Sequence, residues 1–247
     1  YLMNSLQEDM IYIDCVLGCK IAISDIRSSY PSALELLRLL RNVRVGGMLS
    51  GKKGILHLHL GALSSKMDLL FEIVENYEFP IEHISPTHVG RTKDLFEQAI
   101  IFAKMGGMID ITTGASKYTD PYKSVLYAIE NNVSIENITF SSDGNAGLDK
   151  LDNNNNLVGF KSAPFDKNLE EVINLHKLGG VAFEDSLKLI TSNPAKNLGL
   201  KSKGQIKNNF DADICFFDSD LKLSSVIANG KFMMKDGDLV VKGSFEK

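Results

Sequence analysis

His57-Leu58-His59-Leu60-Gly61 is the most informative segment for the fold class, because it is a short, apolar, β-prone run that ends in polar and small residues and precedes a helical stretch. Four other runs share this character: Cys19-Lys20-Ile21-Ala22-Ile23-Ser24-Asp25, Pro86-Thr87-His88-Val89, Met108-Ile109-Asp110-Ile111-Thr112 and Phe140-Ser141-Ser142-Asp143-Gly144. Strands that alternate with helices predict a parallel sheet with its functional residues at the carboxyl ends of the strands. The sequence therefore predicts an α/β fold of the TIM-type (β/α)8 barrel.

The number of strand–helix units indicates that this barrel is incomplete. A closed eight-stranded barrel needs about 250 residues, whereas about five units precede the change in composition near Asn193-Pro194. Strands are predicted near residues 15–23, 54–60, 82–88, 107–112 and 137–142. Helices are predicted at 32–42, 66–76, 92–105, 121–131, 168–178 and 183–191. We expect residues 1–197 to form the C-terminal part of the barrel domain.

The remaining residues, 198–247, have a different texture. The dipeptides Asn229-Gly230 and Asp236-Gly237 are strong hairpin signals. This segment is therefore predicted to be part of a small antiparallel β domain. Within the barrel, the polar tract Asp152-Asn153-Asn154-Asn155-Asn156 has no apolar periodicity and is predicted to be a mobile surface loop near the barrel mouth.

Composition and charge narrow the class of protein. Of the 247 residues, 44% are hydrophobic and 23% are charged, as in ordinary globular proteins. The net charge of −4 gives no reason to expect nucleic acid or an anionic membrane as a partner, and no apolar run approaches a bilayer span. Residues 1–9 lack the features of a signal peptide, and Cys15, Cys19 and Cys215 cannot form a disulfide framework. We therefore expect a cytoplasmic protein with reduced thiols.

Lys20 lies towards the end of an apolar strand, where a cationic amine is costly to bury and cannot bind a metal. If CO₂ caps the amine as a carbamate, the group becomes an anionic ligand with two oxygens that can bridge two metal ions. A salt-bridged lysine is the alternative interpretation.

Histidines stand at the ends of two adjacent predicted strands. His59 lies nearer the carboxyl end of its strand than His57, so His59 is the expected ligand, and His57 is expected on the opposite face, against a helix. His88 ends the next strand, and imidazoles from adjacent strand ends can hold Zn²⁺ with an open coordination position. His83 and His176 are expected to be structural.

Asp143 follows the last predicted strand of the barrel. Its carboxylate could bind a metal, accept a proton from metal-bound water and pass that proton to a leaving amine, or it could form an Asx turn. Arg27 and Arg91 stand on loops after predicted strands. Because a guanidinium matches a carboxylate with two parallel hydrogen bonds, two such arginines suggest a substrate with two carboxylates, although each alone could be a surface charge.

Taken together, these segments resemble those of the isoaspartyl (β-aspartyl) dipeptidases of the amidohydrolase superfamily. The order Lys20, His59, His88, Asp143 is common to many amidohydrolases. The segments Ser24-Asp25-Ile26-Arg27 and Thr87-His88-Val89-Gly90-Arg91 are more specific to the dipeptidases. Further matching segments are Val45-Gly46-Gly47, Gly106-Gly107-Met108-Ile109-Asp110, Ser141-Ser142-Asp143-Gly144-Asn145 and Lys235-Asp236-Gly237.

The resemblance implies a metal-dependent hydrolase with two Zn²⁺ ions per complete active site. Carboxylated Lys20 would bridge the two ions, and His59 and His88 would bind the second ion. Asp143 would be both a metal ligand and the catalytic proton shuttle.

The resemblance also implies a substrate and a reaction. Arg27 and Arg91 would bind the carboxylates of a small β-aspartyl peptide, and metal-bound hydroxide would hydrolyse its β-linked peptide bond. The family further suggests a homo-oligomer. Alternatives are another amidohydrolase, such as a dihydroorotase-like or hydantoinase-like cyclic amidase, or a non-catalytic truncated chain.

The chain also departs from the family pattern. The His-x-His pair that holds the first metal is absent, as are an acidic residue and a tyrosine that the family supplies from its N-terminal half. We therefore expect the chain to be the C-terminal two-thirds of a dipeptidase and to be inactive alone. Gly147 stands where the family often has a serine that contacts substrate.

Overall fold

The computed structural model describes residues 3–114 and 118–243. Its helices are α1 (Met3–Tyr12), α2 (Ala33–Ser50), α3 (Asp68–Asn76), α4 (Lys93–Lys104), α5 (Pro121–Glu130), α6 (Lys167–Lys177), α7 (Phe183–Lys188) and α8 (Ser192–Leu198). Its strands are β1 (Gly18–Ile23), β2 (Ile55–Leu60), β3 (Ile84–Thr87), β4 (Ile109–Thr112), β5 (Ile138–Ser141), β6 (Gly147–Leu151), β7 (Leu157–Ser162), β8 (Ile214–Phe217), β9 (Leu223–Ala228), β10 (Lys231–Lys235) and β11 (Asp238–Leu239).

The first five strands form one sheet in the order β1-β2-β3-β4-β5, and every neighbouring pair is parallel. Each strand therefore pairs with the next strand along the chain, with helical segments in the connections, as in a (β/α)8 barrel. The predicted fold class, five strand–helix units of a TIM-type barrel followed by a small antiparallel sheet, is confirmed.

The helix that follows β1 is longer than predicted, because both of its ends are capped. Ser32 and Glu35 form a capping box at its N-terminus. The residue that caps its C-terminus is Gly51, whose φ of 70° places it in the left-handed region that favours glycine. Helix α2 thus continues past residue 42 and ends at Ser50.

Helix α1 was not predicted, and it is held in place by contacts distant in sequence. The Lys52 ammonium donates hydrogen bonds to the carbonyl oxygens of Met10 (2.7 Å), Ile13 (2.8 Å) and Val16 (3.1 Å). Leu6 and Met10 pack with Val43 of α2 in a small apolar cluster. All three donors of the ammonium are therefore used to fix the C-terminal end of α1.

One face of the parallel sheet is apolar and packs against the helices. Residues two apart along a strand share a face, and the buried residues of this face alternate with polar ones. They are Ile23, Leu56, Leu58, Leu60, Ile84, Ile109, Ile111, Ile138 and Phe140. This face and the helices form the main hydrophobic core.

The opposite face of the same sheet is polar. Its residues are Lys20, His57, His59, Ser85, Thr87, Asp110, Thr112, Thr139 and Ser141. His57 was predicted to point away from His59, and this is wrong, because positions two apart in a strand point the same way. His57 lies beside Ser85, with 3.2 Å between Nδ1 and Oγ. The inner face therefore carries both imidazoles of β2.

The asparagine-rich tract is the turn of a hairpin that was not predicted. Strands β6 and β7 pair antiparallel on either side of it. Asp152 Oδ1 accepts hydrogen bonds from the backbone N–H groups of Asn154 (2.8 Å) and Asn156 (2.9 Å), which closes an Asx-type turn.

The C-terminal sheet has the order β11-β10-β9-β8, and all its pairs are antiparallel. Both predicted hairpin dipeptides lie in its turns, and Asn229 (φ 49°) and Gly230 (φ 77°) have the positive φ angles of a type I′ turn. The Phe217 ring meets the Phe183 ring of α7 edge-on, with centroids 5.8 Å apart. The predicted division at residues 197 and 198 falls at the end of α8 and stays a prediction.

The two histidines that were predicted to be structural both contact backbone carbonyl groups. His83 is buried and its Nδ1 lies 2.7 Å from the carbonyl oxygen of Gly54, while His176 Nδ1 lies 2.8 Å from that of Val181. Both histidines are thus engaged by the backbone.

Across the described ranges, no helix combines the length and the apolar character that crossing a membrane would require.

Candidate metal centre

His59 and His88 lie side by side at the carboxyl ends of β2 and β3, with ring centroids 4.4 Å apart. His88 is 3% exposed, and its Nδ1 lies 2.6 Å from Thr112 Oγ1. Its Nε2 is buried and has no hydrogen-bond partner among the residues that the structure describes. Burial, aided by the positive charges around it, lowers the pKa of His88 to about 2. A neutral ring whose Nδ1–H donates to Thr112 presents a lone pair at Nε2, which is the form that binds a metal.

Asp143 faces His88 from the end of β5. Its Oδ2 lies 4.0 Å from His88 Nε2. Both residues have backbone angles in the left-handed region, with φ of 63° at His88 and 52° at Asp143. Such angles are uncommon for residues other than glycine, and they cluster at functional sites. The chain therefore turns sharply at both strand ends, directly at the residues predicted to bind metal.

Asp25 organises the opposite side of the site. Its carboxylate accepts two hydrogen bonds from the Arg27 guanidinium, from Nε (3.0 Å) and from Nη2 (2.9 Å). Arg91 Nη1 lies 3.6 Å from Asp25 Oδ2, and His59 Nε2 lies 3.1 Å from the same oxygen. The hydrogen bonds from Arg27 hold the pKa of the Asp25 carboxyl well below its usual range. Asp25 is therefore an anion that draws both arginines to His59.

The arginines also reach His59 directly. Arg27 Nη2 and Arg91 Nη2 lie 3.2 Å and 3.1 Å from His59 Nε2. Burial, as the largest cause, lowers the pKa of His59. The structure thus brings five predicted site residues together, and Asp25 is a sixth that the sequence reasoning did not assign, although the Ser24-Asp25-Ile26-Arg27 spacing contained the signal.

Lys20 lies on the same inner face, one layer nearer the amino-terminal ends of the strands than His59, and it is exposed. Across the β1–β2 pair it is the partner of His57, whereas His59 pairs with Ala22. Lys20, Asp25, Arg27 and His59 line part of a cavity of about 290 Å³. Lys20 thus borders the same space as the predicted ligand His59.

The donors partly fit a zinc ion. No three His, Cys, Asp or Glu side chains converge closely enough to hold a metal within the part of the chain that the structure describes. However, zinc takes imidazole nitrogen and carboxylate oxygen as ligands, and His88 Nε2 and Asp143 Oδ2, which lie 4.0 Å apart, are donors of these two kinds. His59 Nε2 is instead held by Asp25 and the arginines. The donor types are therefore those that zinc accepts, and His88 and Asp143 are the pair that face each other.

Comparison with known proteins identifies the family. The model of the amidohydrolase family matches residues 52–243. A β-aspartyl dipeptidase from the thermophilic, keratin-degrading Fervidobacterium islandicum AW-1, solved in complex with a β-Asp-Leu dipeptide, is 40% identical, with a TM-score of 0.87 over 97% of this chain and 64% of that chain. A second structure of β-aspartyl dipeptidase from that organism is 36% identical, with a TM-score of 0.85 over 97% and 62% of the two chains.

A more distant structure shares the fold alone. An N-acetylglucosamine-6-phosphate deacetylase from Pasteurella multocida is 16% identical, with a TM-score of 0.51 over 93% of this chain and 71% of that chain. The present chain spans less than two thirds of the length of either dipeptidase chain. The family match over residues 52–243 and the similarity to both dipeptidases confirm the predicted resemblance. This chain belongs to the amidohydrolase family and, within it, is similar to the β-aspartyl dipeptidases.

Proposed function

We propose that this protein takes part in the zinc-dependent hydrolysis of β-aspartyl (isoaspartyl) dipeptides. The observation that carries the proposal is the convergence of Arg27 and Arg91 on His59, next to His88 and Asp143. Two guanidinium groups beside a set of zinc donors suit a substrate that has two carboxylates close to the bond to be cleaved. A β-aspartyl dipeptide has its α-carboxylate and its C-terminal carboxylate in this relation.

The proposed roles follow from the chemistry of each side chain. His59, His88 and Asp143 would hold zinc, and Lys20, once carboxylated, would join two ions. When bound, zinc would activate a water molecule and polarise the carbonyl of the β-linked peptide bond.

Asp143 would accept the proton of the attacking water at its carboxylate and deliver it to the leaving amine. Arg27 and Arg91 would orient the substrate through its carboxylates, and the attack geometry would follow from that orientation. Arg27 donates hydrogen bonds from both Nε and Nη2 to Asp25, so Asp25 would hold that guanidinium in place for substrate. A homo-oligomer and a cytoplasmic location stay predictions from the sequence.

Hydrolysis of β-Asp-Leu tests the proposal. We would assay the 247-residue chain, and a form extended upstream to include a His-x-His strand, with zinc and with a chelator. α-Asp-Leu and the cyclic ureide dihydroorotate would be the competing substrates. We expect zinc-dependent cleavage of β-Asp-Leu alone, and only in the extended form. Turnover of the ureide without β-Asp-Leu cleavage would mean a cyclic amidase, and no turnover in either form would mean a non-catalytic chain.

Arg91→Met tests the carboxylate contact. In the form extended upstream, removing a charge-assisted hydrogen bond of about 1.5–3 kcal/mol should lower kcat/KM for β-Asp-Leu about 10–100-fold, mainly through KM. Arg41→Met, which removes an exposed arginine of α2, is the matched control and should leave kcat/KM unchanged. Equal effects of the two substitutions would contradict a substrate contact at Arg91.

A further inference from the structure

Strand β4 supplies no predicted ligand, yet its two inward side chains lie between the strands that lead to His88 and Asp143. These side chains are Asp110 and Thr112, which are only 4% and 2% exposed. A buried carboxylate and a buried hydroxyl at this position require an explanation, because burying polar groups is unfavourable unless they are hydrogen-bonded.

The Asp110 carboxylate connects the two neighbouring strands through one oxygen. Its Oδ2 accepts hydrogen bonds from both Thr87 Oγ1 and Ser141 Oγ. Thr87 directly precedes His88, and Ser141 lies two residues before Asp143. A single oxygen atom therefore holds the end of β3 at a fixed distance from the end of β5.

The other carboxylate oxygen, Oδ1, is hydrogen-bonded to β5 and does not join it to β3. Oδ1 accepts a hydrogen bond from Thr139 Oγ1 at 2.8 Å. None of the ion pairs found among the described residues includes Asp110, so hydroxyl groups compensate the lost hydration of the anion. An apolar residue would fill a purely structural position at lower cost. Three hydroxyl groups hold this carboxylate, which indicates that the positions of its two oxygens serve a function.

Thr112 acts on the ring of His88. Its Oγ1 lies 2.6 Å from Nδ1, and the opposite ring nitrogen, Nε2, faces Asp143 at 4.0 Å. A hydrogen bond to one nitrogen of an imidazole fixes both the tautomer and the direction of the other nitrogen.

We propose that Asp110 is a positioning residue of the metal centre. Its Oδ2 sets the spacing of the β3 and β5 ends at which His88 and Asp143 can share one ion, while Thr112 sets the orientation of the His88 ring. This inference rests on the proposed zinc centre, and it assigns Asp110 no contact with the ion or with substrate.

Two threonine variants form a matched test. Thr87 and Thr139 are both buried, at 1% and 3% exposure, and each donates one hydrogen bond to Asp110. Thr87→Val removes the hydrogen bond to Oδ2, the oxygen that joins β3 to β5. Thr139→Val removes the hydrogen bond to Oδ1. Both substitutions preserve side-chain shape.

For wild type and both variants of the 247-residue chain, we would measure zinc affinity by chelator competition, the visible spectrum with Co²⁺, and Tm without metal. We expect similar decreases in Tm for the two variants. Zinc affinity should fall about 10–100-fold in Thr87→Val, with an altered Co²⁺ spectrum, and less than about twofold in Thr139→Val. Asp110→Asn should weaken zinc at least as much as Thr87→Val.

Equal zinc affinities in Thr87→Val and Thr139→Val, with a wild type that binds zinc, would overturn the positioning role and leave the proposed function intact. A wild type that binds neither Zn²⁺ nor Co²⁺ would overturn the zinc centre and this inference together.

Discussion

At the scale of single residues, Gly61 determines where Asp25 can lie. Gly61 follows β2, and its N–H donates a hydrogen bond to the carbonyl oxygen of Ile23 at 3.1 Å. A Cβ at this position would collide with the carbonyl oxygen of Ser24 and with Cα and Cβ of Asp25. The two loops can therefore approach closely only because residue 61 has no side chain.

Gly61→Ala is accordingly expected to lower the free energy of unfolding by about 1–3 kcal/mol, the usual cost of overpacking. The atoms in the way belong largely to backbone, so they cannot rotate aside. Gly147→Ala is the control, since nothing lies within 4 Å of a Cβ built there. Urea unfolding of both variants measures the difference, and a Gly61→Ala variant as stable as Gly147→Ala would refute the close approach.

The sequence identified those site residues whose position relative to a single predicted strand was informative. Lys20, His59 and Asp143 were found from their places at or near strand ends. Asp25 was quoted but given no role, because its three partners, Arg27, Arg91 and His59, come from separate loops or strands and only the folded chain assembles them.

Two further residues mark different limits of the sequence reasoning. Asp110 was missed because its donors lie on the two neighbouring strands. The error at His57 was different, since strand geometry alone places His57 and His59 on one face.

At the scale of elements, Glu171 joins α6 to α5. Its side chain is 8% exposed, and Oε2 accepts a hydrogen bond from the backbone N–H of Tyr122 at 2.9 Å, in the first turn of α5. Asn174 Nδ2 donates to Oε1 at 3.2 Å. Burial nevertheless outweighs these bonds and raises the pKa of the Glu171 carboxyl above its ordinary value of 4.5.

A raised pKa means that the folded state binds the Glu171 proton more tightly than the unfolded state does. This contribution to stability is present below pH 4.5 and is lost as the pH rises through the folded-state pKa. Glu171→Gln removes the charge and should therefore be more stable, relative to wild type, at pH 7 than at pH 4. Denaturant titrations at both pH values measure this change.

Glu170→Gln, which neutralises an exposed carboxylate paired with Lys167, controls for the loss of one negative charge. A stability difference between Glu171→Gln and wild type that is the same at both pH values would contradict the burial effect.

Elements with long periodic patterns were predictable, and elements fixed by distant contacts were not. Helices α4 and α5 have regular apolar faces, and both were predicted within a residue or so of their ends. Helix α1 depends on Lys52, which lies 36–42 residues from the carbonyls it binds. The β6–β7 hairpin has an Asx-closed turn in place of the usual dipeptide, so the tract looked like an unstructured loop.

At the scale of the whole molecule, the candidate centre joins parts of the chain that lie far apart in sequence. His59, His88 and Asp143 lie at the carboxyl ends of three different strands, on the side of the polar inner face of the sheet. An ion that binds all three would tie β2, β3 and β5 together in the folded state alone, because these donors are dispersed in the unfolded chain. Metal binding should therefore appear as a gain in stability of the entire fold.

Zinc at about 100 times its dissociation constant stabilises a folded protein by about 2.7 kcal/mol. In a chain of this size, that gain corresponds to a rise in Tm of about 5–11 °C. We expect this rise on adding Zn²⁺, its reversal by a chelator, and its loss in His88→Ala. His83→Ala is the matched control: it removes another buried histidine, one whose Nδ1 faces the carbonyl oxygen of Gly54, so its Tm should start lower but rise with zinc as in wild type. A zinc response that survives in His88→Ala, or that disappears equally in His83→Ala, would place the metal elsewhere, because in the described ranges His88 is the histidine whose unpartnered ring nitrogen faces Asp143.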